Sequence, residues 1–191
     1  MTQMTATGFV VSDVSARVGE KAPQFSLPAA RSLEAMEQPV ALSDYRGRWL
    51  VLLFYPLDFS RIGASELIAF SDRADELRAG NTELLGVSTD SVYAHRVWFG
   101  LSRDQGGLGM LQFPLASDST HAVSRAYGVL LEDKGHAMPG TFLIDPNGVL
   151  RHAAIHDVAV GRSVHETVRV LAALASGGAC PANWQPGDPT F

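Results

Sequence analysis

The chain has 191 residues, of which 46% are hydrophobic and 18% are charged, and its formal net charge at pH 7 is -5. This length favours a single domain, and the composition is that of an ordinary globular protein that needs neither disulfides nor a metal to hold its core. The negative charge argues against general affinity for nucleic acid or anionic membranes, and no apolar run approaches the ~20 residues that span a bilayer.

The sequence contains a single cysteine, Cys180. It cannot form an intrachain disulfide, which excludes a disulfide-stabilised secreted scaffold. Residues 1–18 lack a charged start followed by a long apolar stretch, which argues against a signal peptide. We therefore expect a cytoplasmic protein with a flexible N-terminal arm over residues 1–18. A domain over residues 19–176 and an irregular C-terminal tail over residues 177–191 should follow.

The first half of the chain alternates strand and helix patterns. Residues 49–55 form a continuous apolar run closed by Pro56, which is typical of a strand covered on both faces in a mostly parallel sheet. Residues 65–78 place apolar side chains at helical spacing, and Gly80 ends that helix. Residues 82–89 predict a second buried strand. This alternation indicates an α/β protein.

The second half adds short helices and a hairpin. Ser91 begins a predicted helix over residues 91–101, and residues 118–120 cap another that runs to Tyr127. The Asp-Pro-Asn-Gly turn at residues 145–148 predicts a β-hairpin between residues 141–144 and 149–155. The last helix covers residues 163–174, with Ser163 and Glu166 at the spacing of a capping box. A hairpin after alternating elements predicts a mixed sheet.

Several short motifs occur in a fixed order along residues 18–188. They are residues 54–59 (FYPLDF), residues 88–91 with His95 and Trp98, residues 105–109 (QGGLG), residues 145–151 (DPNGVLR), residues 160–163 (VGRS) and residues 180–187 (CPANWQPG). Together they resemble the typical two-cysteine peroxiredoxins, a family that includes the alkyl hydroperoxide reductase peroxidase subunit. The resemblance implies a thioredoxin-like peroxiredoxin fold, with a mixed central sheet flanked by helices. It also implies self-association as a dimer or a ring of dimers.

The resemblance fails at the position that matters most for catalysis. In the family, the first motif leads into Cys-Pro-Thr-Glu, and that cysteine is the peroxidatic one. The same register here places Gly63 at the cysteine and Ser65 at the threonine. Pro139 stands where the family keeps an arginine over the thiolate, while Glu66 and Arg151 resemble its supporting carboxylate and second arginine. Because peroxide reduction requires a thiolate, the resemblance implies loss of thiol-peroxidase activity.

Two functions then remain open. The first is an oligomeric pseudoenzyme with a scaffold or regulatory role, because the framework is kept beside a dismantled catalytic centre. The second is an enzyme, for example of a biosynthetic pathway, repurposed for non-thiol acid–base chemistry on a small organic substrate in the former peroxide pocket. The candidate residues of that pocket are Tyr55, Asp58, Arg61, Ser65, Glu66, His136 and Arg151.

Each candidate in the pocket also has a structural interpretation. Asp58 or Glu66 would act as a base, His136 as an acid or base, and Arg61 as an anion clamp. The alternative is that Glu66 and Arg151 form a structural ion pair. Arg61 would then be a solvent-exposed side chain and His136 an ordinary loop histidine.

The remaining polar residues give little further chemistry. Cys180 resembles the family's resolving cysteine, whose partner position is Gly63, and we interpret it as a remnant in the tail. A third hypothesis is a weak one-cysteine peroxidase acting through Cys180. His152 and His156 would lie ~13 Å apart along a strand, too far for one metal ion with ~2 Å bonds. We assign no cofactor, metal, nucleic acid or membrane partner.

Overall fold

The computed structural model of the protein describes residues 16–33 and 38–191. Its strands, in chain order, are β1 (Ser26–Ala30), β2 (Gln38–Ala41), β3 (Trp49–Phe54), β4 (Thr82–Ser88), β5 (Leu115–Ser117), β6 (Leu130–Leu131), β7 (His136–Ala137), β8 (Gly140–Ile144) and β9 (Leu150–Ile155). Its α-helices are α1 (Arg61–Ser71), α2 (Ala74–Ala79), α3 (Val92–Gly100), α4 (Ala122–Ala126) and α5 (Val164–Ala175). Short 3-10 helices occupy Leu42–Tyr45 and Arg103–Gln105.

The main sheet is mixed, with the strand order β2-β1-β5-β4-β3-β8-β9. The central strand β3 runs parallel to β4 and antiparallel to β8, and β4 runs parallel to β5. The β8–β9 hairpin ends the sheet on one side, and the antiparallel pair β1–β2 ends it on the other. The separate strands β6 and β7 pair with each other. The expected mixed α/β architecture, with a mixed central sheet flanked by helices, is confirmed.

Side chains of β3 alternate between two hydrophobic clusters, one on each face of the sheet. Leu50, Leu52 and Phe54 join the cluster that contains residues of α4. Val51 and Leu53 join the other cluster, which contains residues of α1, α2, α3 and α5. Successive side chains of a strand point to opposite faces, so an all-apolar run is buried on both. The predicted double burial of this strand is confirmed.

The predicted helix over residues 65–78 is wrong in its bounds. The chain is already helical at Arg61, after Ser60 in an extended conformation (φ -73°, ψ 136°). The helix ends at Ser71, and Arg73 (φ -105°, ψ 4°) separates α1 from α2. The first turn of α1 borders a loop and the cavity rather than the core. The helical spacing of buried apolar side chains is therefore visible in the sequence only after residue 65.

Several helix starts and turns follow the sequence signals. Ser91 Oγ accepts a hydrogen bond from the amide of Ala94 at 3.3 Å, which confirms it as the N-cap of α3. Asp118 accepts hydrogen bonds from the first amides of α4. Ser163 Oγ accepts from the Glu166 amide at 3.2 Å, but the Glu166 carboxylate binds Arg169 instead of returning to Ser163. The predicted capping box is therefore only half formed.

The C-terminal tail is irregular but packs against the last helix. Residues 177–191 form no helix or strand, yet Trp184 is buried and its carbonyl accepts a hydrogen bond from Arg169 at 2.9 Å. Most of the arm expected over residues 1–18 lies outside the described residues. In the part of the chain that is described, no helix is both long and apolar enough to cross a bilayer.

Candidate functional site

A cavity of about 360 Å³ lies where the β3–α1 loop, the β6–β7 hairpin and the segment after β9 meet. Its apolar lining consists of Pro56, Leu57, Ile62, Pro139 and Val158. Its polar lining consists of Ser60, Arg61, Glu66, Lys134 and His136, and Gly63 completes the wall. Cavities of this size are typical of small-molecule sites.

Gly63 lies in the first turn of α1, and the local packing fits a residue without a side chain. A Cβ atom at this position would stand 2.5 Å from Ser60 Oγ, which real Cβ atoms do not tolerate. The Ser60 hydroxyl is held there because it donates a hydrogen bond to the carbonyl of Leu57 at 2.9 Å. Any side chain at position 63 therefore requires Ser60 to rotate and to give up this hydrogen bond.

Glu66 forms a buried ion pair with Arg162, and the predicted Glu66–Arg151 pair is wrong. Glu66 Oε2 accepts from Arg162 Nη2 at 2.7 Å. Its Oε1 accepts from Nε at 3.0 Å and from the Arg162 amide at 2.6 Å. Both side chains are 2% exposed. Because both carboxylate oxygens are occupied, Glu66 has no free oxygen for proton transfer.

Arg151 lies away from the cavity, on an outward-facing position of β9 that is exposed. It pairs with Asp145 in the β8–β9 turn at 2.7 Å. Burial alone would raise the pKa of Asp145, but the Val149 amide, the Arg151 guanidinium and the Asn147 amide together hold it below its ordinary value. The alternation of β9 thus places Arg151 over the turn and not beside Glu66.

Tyr55 and Asp58 do not line the cavity and form a buried cluster with His95 instead. Tyr55 Oη donates to Asp58 Oδ1 at 2.9 Å, and His95 Nδ1 lies 2.8 Å from Asp58 Oδ2. Burial and then the Asp58 charge raise the pKa of Tyr55 well above its ordinary value, so it stays a neutral donor. The Asp58 amide also donates to Asp90 at 2.8 Å. This cluster fixes the β3–α1 loop against the start of α3.

The other candidates divide between the cavity and the surface. Arg61 and His136 line the cavity, as does Lys134, which the sequence analysis did not single out. Ser65 is exposed, does not line the cavity, and donates its hydroxyl to the carbonyl of Ile62 at 2.7 Å. His136 Nδ1 donates to the carbonyl of Ala137 at 3.1 Å. Of the predicted pocket residues, the structure therefore brings Arg61, Glu66 and His136 together at the cavity.

The fold and this geometry agree with comparisons with known proteins. Residues 18–153 match the AhpC/TSA family, and residues 173–191 match the C-terminal domain of 1-Cys peroxiredoxin. The chain belongs to the AhpC/TSA family of peroxiredoxins.

Individual family members match over most of their length. A thioredoxin peroxidase of Echinococcus granulosus is 47% identical over 182 residues, which cover 93% of each chain. The reduced 2-Cys peroxiredoxin of Plasmodium vivax superposes with a TM-score of 0.86 at 37% identity, covering 91% of each chain. Prx1a of Plasmodium yoelii, modified at its N-terminus and described as an artifactual octamer, superposes with a TM-score of 0.77 at 37% identity. That match covers 88% of this chain and 99% of the Plasmodium yoelii chain.

Within the family register, the peroxidatic cysteine is missing from this chain. The remaining thiol, Cys180, lies beside the last turn of α5, where its sulfur is 3.7 Å from the carbonyl oxygen of Ala173 and 3.5 Å from Ser176 Oγ. Cys180 is not among the residues that line the cavity. Among the described residues, no group of three or more His, Cys, Asp or Glu could hold a metal ion.

Three important residues were not among the candidate site residues of the sequence analysis, although two had usable signals. His95 lies between Val92 and Trp98 on the buried face of α3, and a polar residue on that face requires a buried partner. Arg162 directly precedes the N-cap Ser163 within a motif that had been noted only for the helix start. Lys134 had no signal, because it lies in the turn of the two-residue strands β6 and β7.

Proposed function

We propose that this family member does not reduce peroxides by thiol chemistry and acts as an oligomeric pseudoenzyme with a scaffold or regulatory role. The observation that carries the proposal is Gly63 in the cavity wall, with the Ser60 hydroxyl in the space where a side chain would begin. A glycine can neither attack an O–O bond nor form a disulfide.

The surroundings of the cavity support the same conclusion. Pro139 lines the cavity at the position where the family keeps the arginine that stabilises the thiolate. A lowered thiol pKa requires a nearby cation or hydrogen-bond donor. Cys180 lies outside the cavity, beside the last turn of α5, where its sulfur contacts the carbonyl oxygens of Ala173 and Gly178.

One surface beside the cavity supports assembly. Leu57 and Phe59 are exposed in the β3–α1 loop, and Tyr93 and Val97 are exposed on α3. Phe59 packs against Trp98 of α3 with ring centroids 5.6 Å apart, so the loop rests on the helix that carries Tyr93 and Val97. We call these four exposed residues the loop patch. Exposed apolar patches of this kind typically mark interaction sites, and family rings are built from contacts beside this loop.

A second surface supports dimer formation. β9 is the last strand of the sheet, and beyond Leu150, which pairs with residues 19 and 20, no strand of the described residues pairs with its outer edge. Ile155 on β9 and Val158 and Val160 just after it are exposed. An open strand edge beside apolar side chains favours pairing with a second copy of the same strand. Two separate surfaces are what a ring of dimers requires.

The test combines size-exclusion chromatography with light scattering and a thioredoxin-coupled peroxidase assay. We expect the protein to be an oligomer. We also expect hydrogen peroxide to disappear no faster than in the same assay mixture without the protein. Rapid turnover would refute the loss of activity, and a monomer at all concentrations would refute the scaffold role.

The open cavity beside Gly63 favours a second candidate, an enzyme repurposed for chemistry on a small organic substrate. Acid–base catalysis there has few groups to use. Glu66 is saturated by Arg162, and Asp58 is buried outside the cavity. His136 and Lys134 are the remaining proton-transfer candidates among the described residues that line the cavity. The cavity therefore favours ligand binding over acid–base turnover.

A further inference from the structure

The charges that line the cavity do not cancel. Arg61 and Lys134 line it from two different segments, the first turn of α1 and the β6–β7 turn. Within the part of the chain that is described, neither of them forms an ion pair. Glu66 is the only carboxylate in the lining, and its charge is neutralised by Arg162. Two cations therefore face the same space with no acidic side chain to balance them.

The remaining lining is largely apolar. Five of the eleven lining residues, Pro56, Leu57, Ile62, Pro139 and Val158, have apolar side chains, and Ser60 and His136 add polar groups. A hydrated inorganic anion would gain nothing from these surfaces. A ligand with an apolar body would gain about 25 cal/mol for each Å² of surface that it buries. The lining thus fits a molecule that carries one acidic group on a hydrocarbon body.

We propose that the cavity binds a small organic acid, with its carboxylate between Arg61 and Lys134 and its apolar body against Leu57, Ile62 and Val158. Charge-assisted hydrogen bonds from both cations hold the carboxylate of the ligand, and the apolar lining favours ligands with a hydrocarbon body. The inference rests on the proposed function in one respect, because a cavity that reduces peroxides would not be free for such a ligand.

The test uses sodium octanoate as the probe on the full chain. Methyl NMR spectra of Leu57, Ile62 and Val158 report on binding at the cavity. Octanamide keeps the body without the charge, and acetate keeps the charge without the body. We expect saturable shifts with octanoate and at least about tenfold weaker binding of both analogues.

Variants identify the groups that bind the probe. Arg61→Gln and Lys134→Gln should each weaken octanoate binding by about three- to tenfold, because each removes one charged contact. The matched control is Arg103→Gln, which removes an exposed cation paired with Asp72 outside the cavity. It should leave the affinity unchanged. Val158→Phe fills the cavity from an exposed position and should abolish the shifts of the Leu57 and Ile62 methyls without unfolding the protein.

Several results would overturn the inference. They are the absence of saturable shifts with octanoate, equal affinity for octanamide, and unchanged affinity in both cation variants. A peroxidase assay on the same samples separates this failure from that of the proposed function. Octanoate binding in a chain that also turns over peroxide would refute the proposed function alone. If the chain neither binds octanoate nor turns over peroxide, the ligand proposal is refuted and the proposed function is not.

Discussion

Arg162 binds Glu66 through two of its guanidinium nitrogens and donates its third to the carbonyls of Phe54 and Gly140, each at 3.0 Å. The pair therefore ties α1 to β3 and β8 directly beside the cavity. Because both side chains are buried, each charge depends on the other for its stability. This pair maintains the site framework although the catalytic cysteine is gone.

Breaking this pair should destabilise the whole domain. Glu66→Gln leaves the buried guanidinium without a counter-charge, and we expect a loss of about 3–5 kcal/mol in the free energy of unfolding. Urea denaturation followed by far-UV circular dichroism measures it. The matched control is Arg151→Gln, because Arg151 is 44% exposed and its loss leaves Asp145 bonded to two backbone amides, so the pair should contribute about 0–1 kcal/mol. Equal losses in the two variants would contradict the structural role of the Glu66–Arg162 pair.

The Asp58–His95 contact should be a second point of stability. Asp58→Ala leaves Tyr55 Oη and His95 Nδ1 buried without their acceptor, and we expect a loss of about 3 kcal/mol or more. The same urea titration measures it. Asp72→Ala, which removes an exposed carboxylate, provides the comparison. Should Asp58→Ala unfold at the same urea concentration as Asp72→Ala, the cluster does not anchor the loop.

Stability should decrease at mildly acidic pH because of His152. Burial lowers the pKa of His152 from 6.5, against a smaller opposite effect of Glu166. The unfolded chain therefore binds this proton at higher pH than the folded chain. The His152 contribution is complete above pH 6.5 and declines as the pH falls toward the folded pKa.

Thermal unfolding between pH 8 and pH 5 measures this effect. His152→Asn should flatten the decrease in melting temperature, whereas His165→Asn on the exposed face of α5 should leave it unchanged. An identical pH profile for the native chain and His152→Asn would rule out this contribution.

A charged side chain in the loop patch should disrupt the proposed ring of dimers and leave the dimer intact. Val97→Glu places a carboxylate at an exposed apolar position of α3, and we expect dimers in place of larger rings. Light scattering gives the mass directly. Val18→Glu makes the same change at an exposed valine elsewhere and should leave the mass unchanged. Intact rings in Val97→Glu would exclude the loop patch from the interface.

The sequence predicted the central strand and the hairpin of the sheet better than the strands β1 and β2 and the ends of the helices. The apolar run of β3 and the turn of the β8–β9 hairpin are local signals, and both elements formed as expected. The strands β1 and β2 escaped prediction because each contains a proline, which is typical of edge strands and weakens the strand pattern. The joined α1–α2 prediction failed because apolar spacing continues across the break at Arg73.

The site was only partly predictable, because its pairings join residues distant in sequence. Arg61, Glu66 and His136 could be placed near Gly63 from the register of the motifs. Which arginine pairs with Glu66 depends on whether β9 or the loop after it approaches α1. The sequence analysis considered only Arg151 as the partner of Glu66, and the tertiary packing pairs Glu66 with Arg162 instead.

The most direct test of the account is a single-turnover experiment without thioredoxin. Prereduced protein is mixed with an equimolar amount of hydrogen peroxide, and the remaining peroxide is measured over time for the native chain and for Cys180→Ser. The account predicts slow loss of peroxide in the native chain, no faster than with free cysteine. Rapid loss that Cys180→Ser abolishes would contradict it, because the lone thiol would then perform the chemistry that Gly63 cannot.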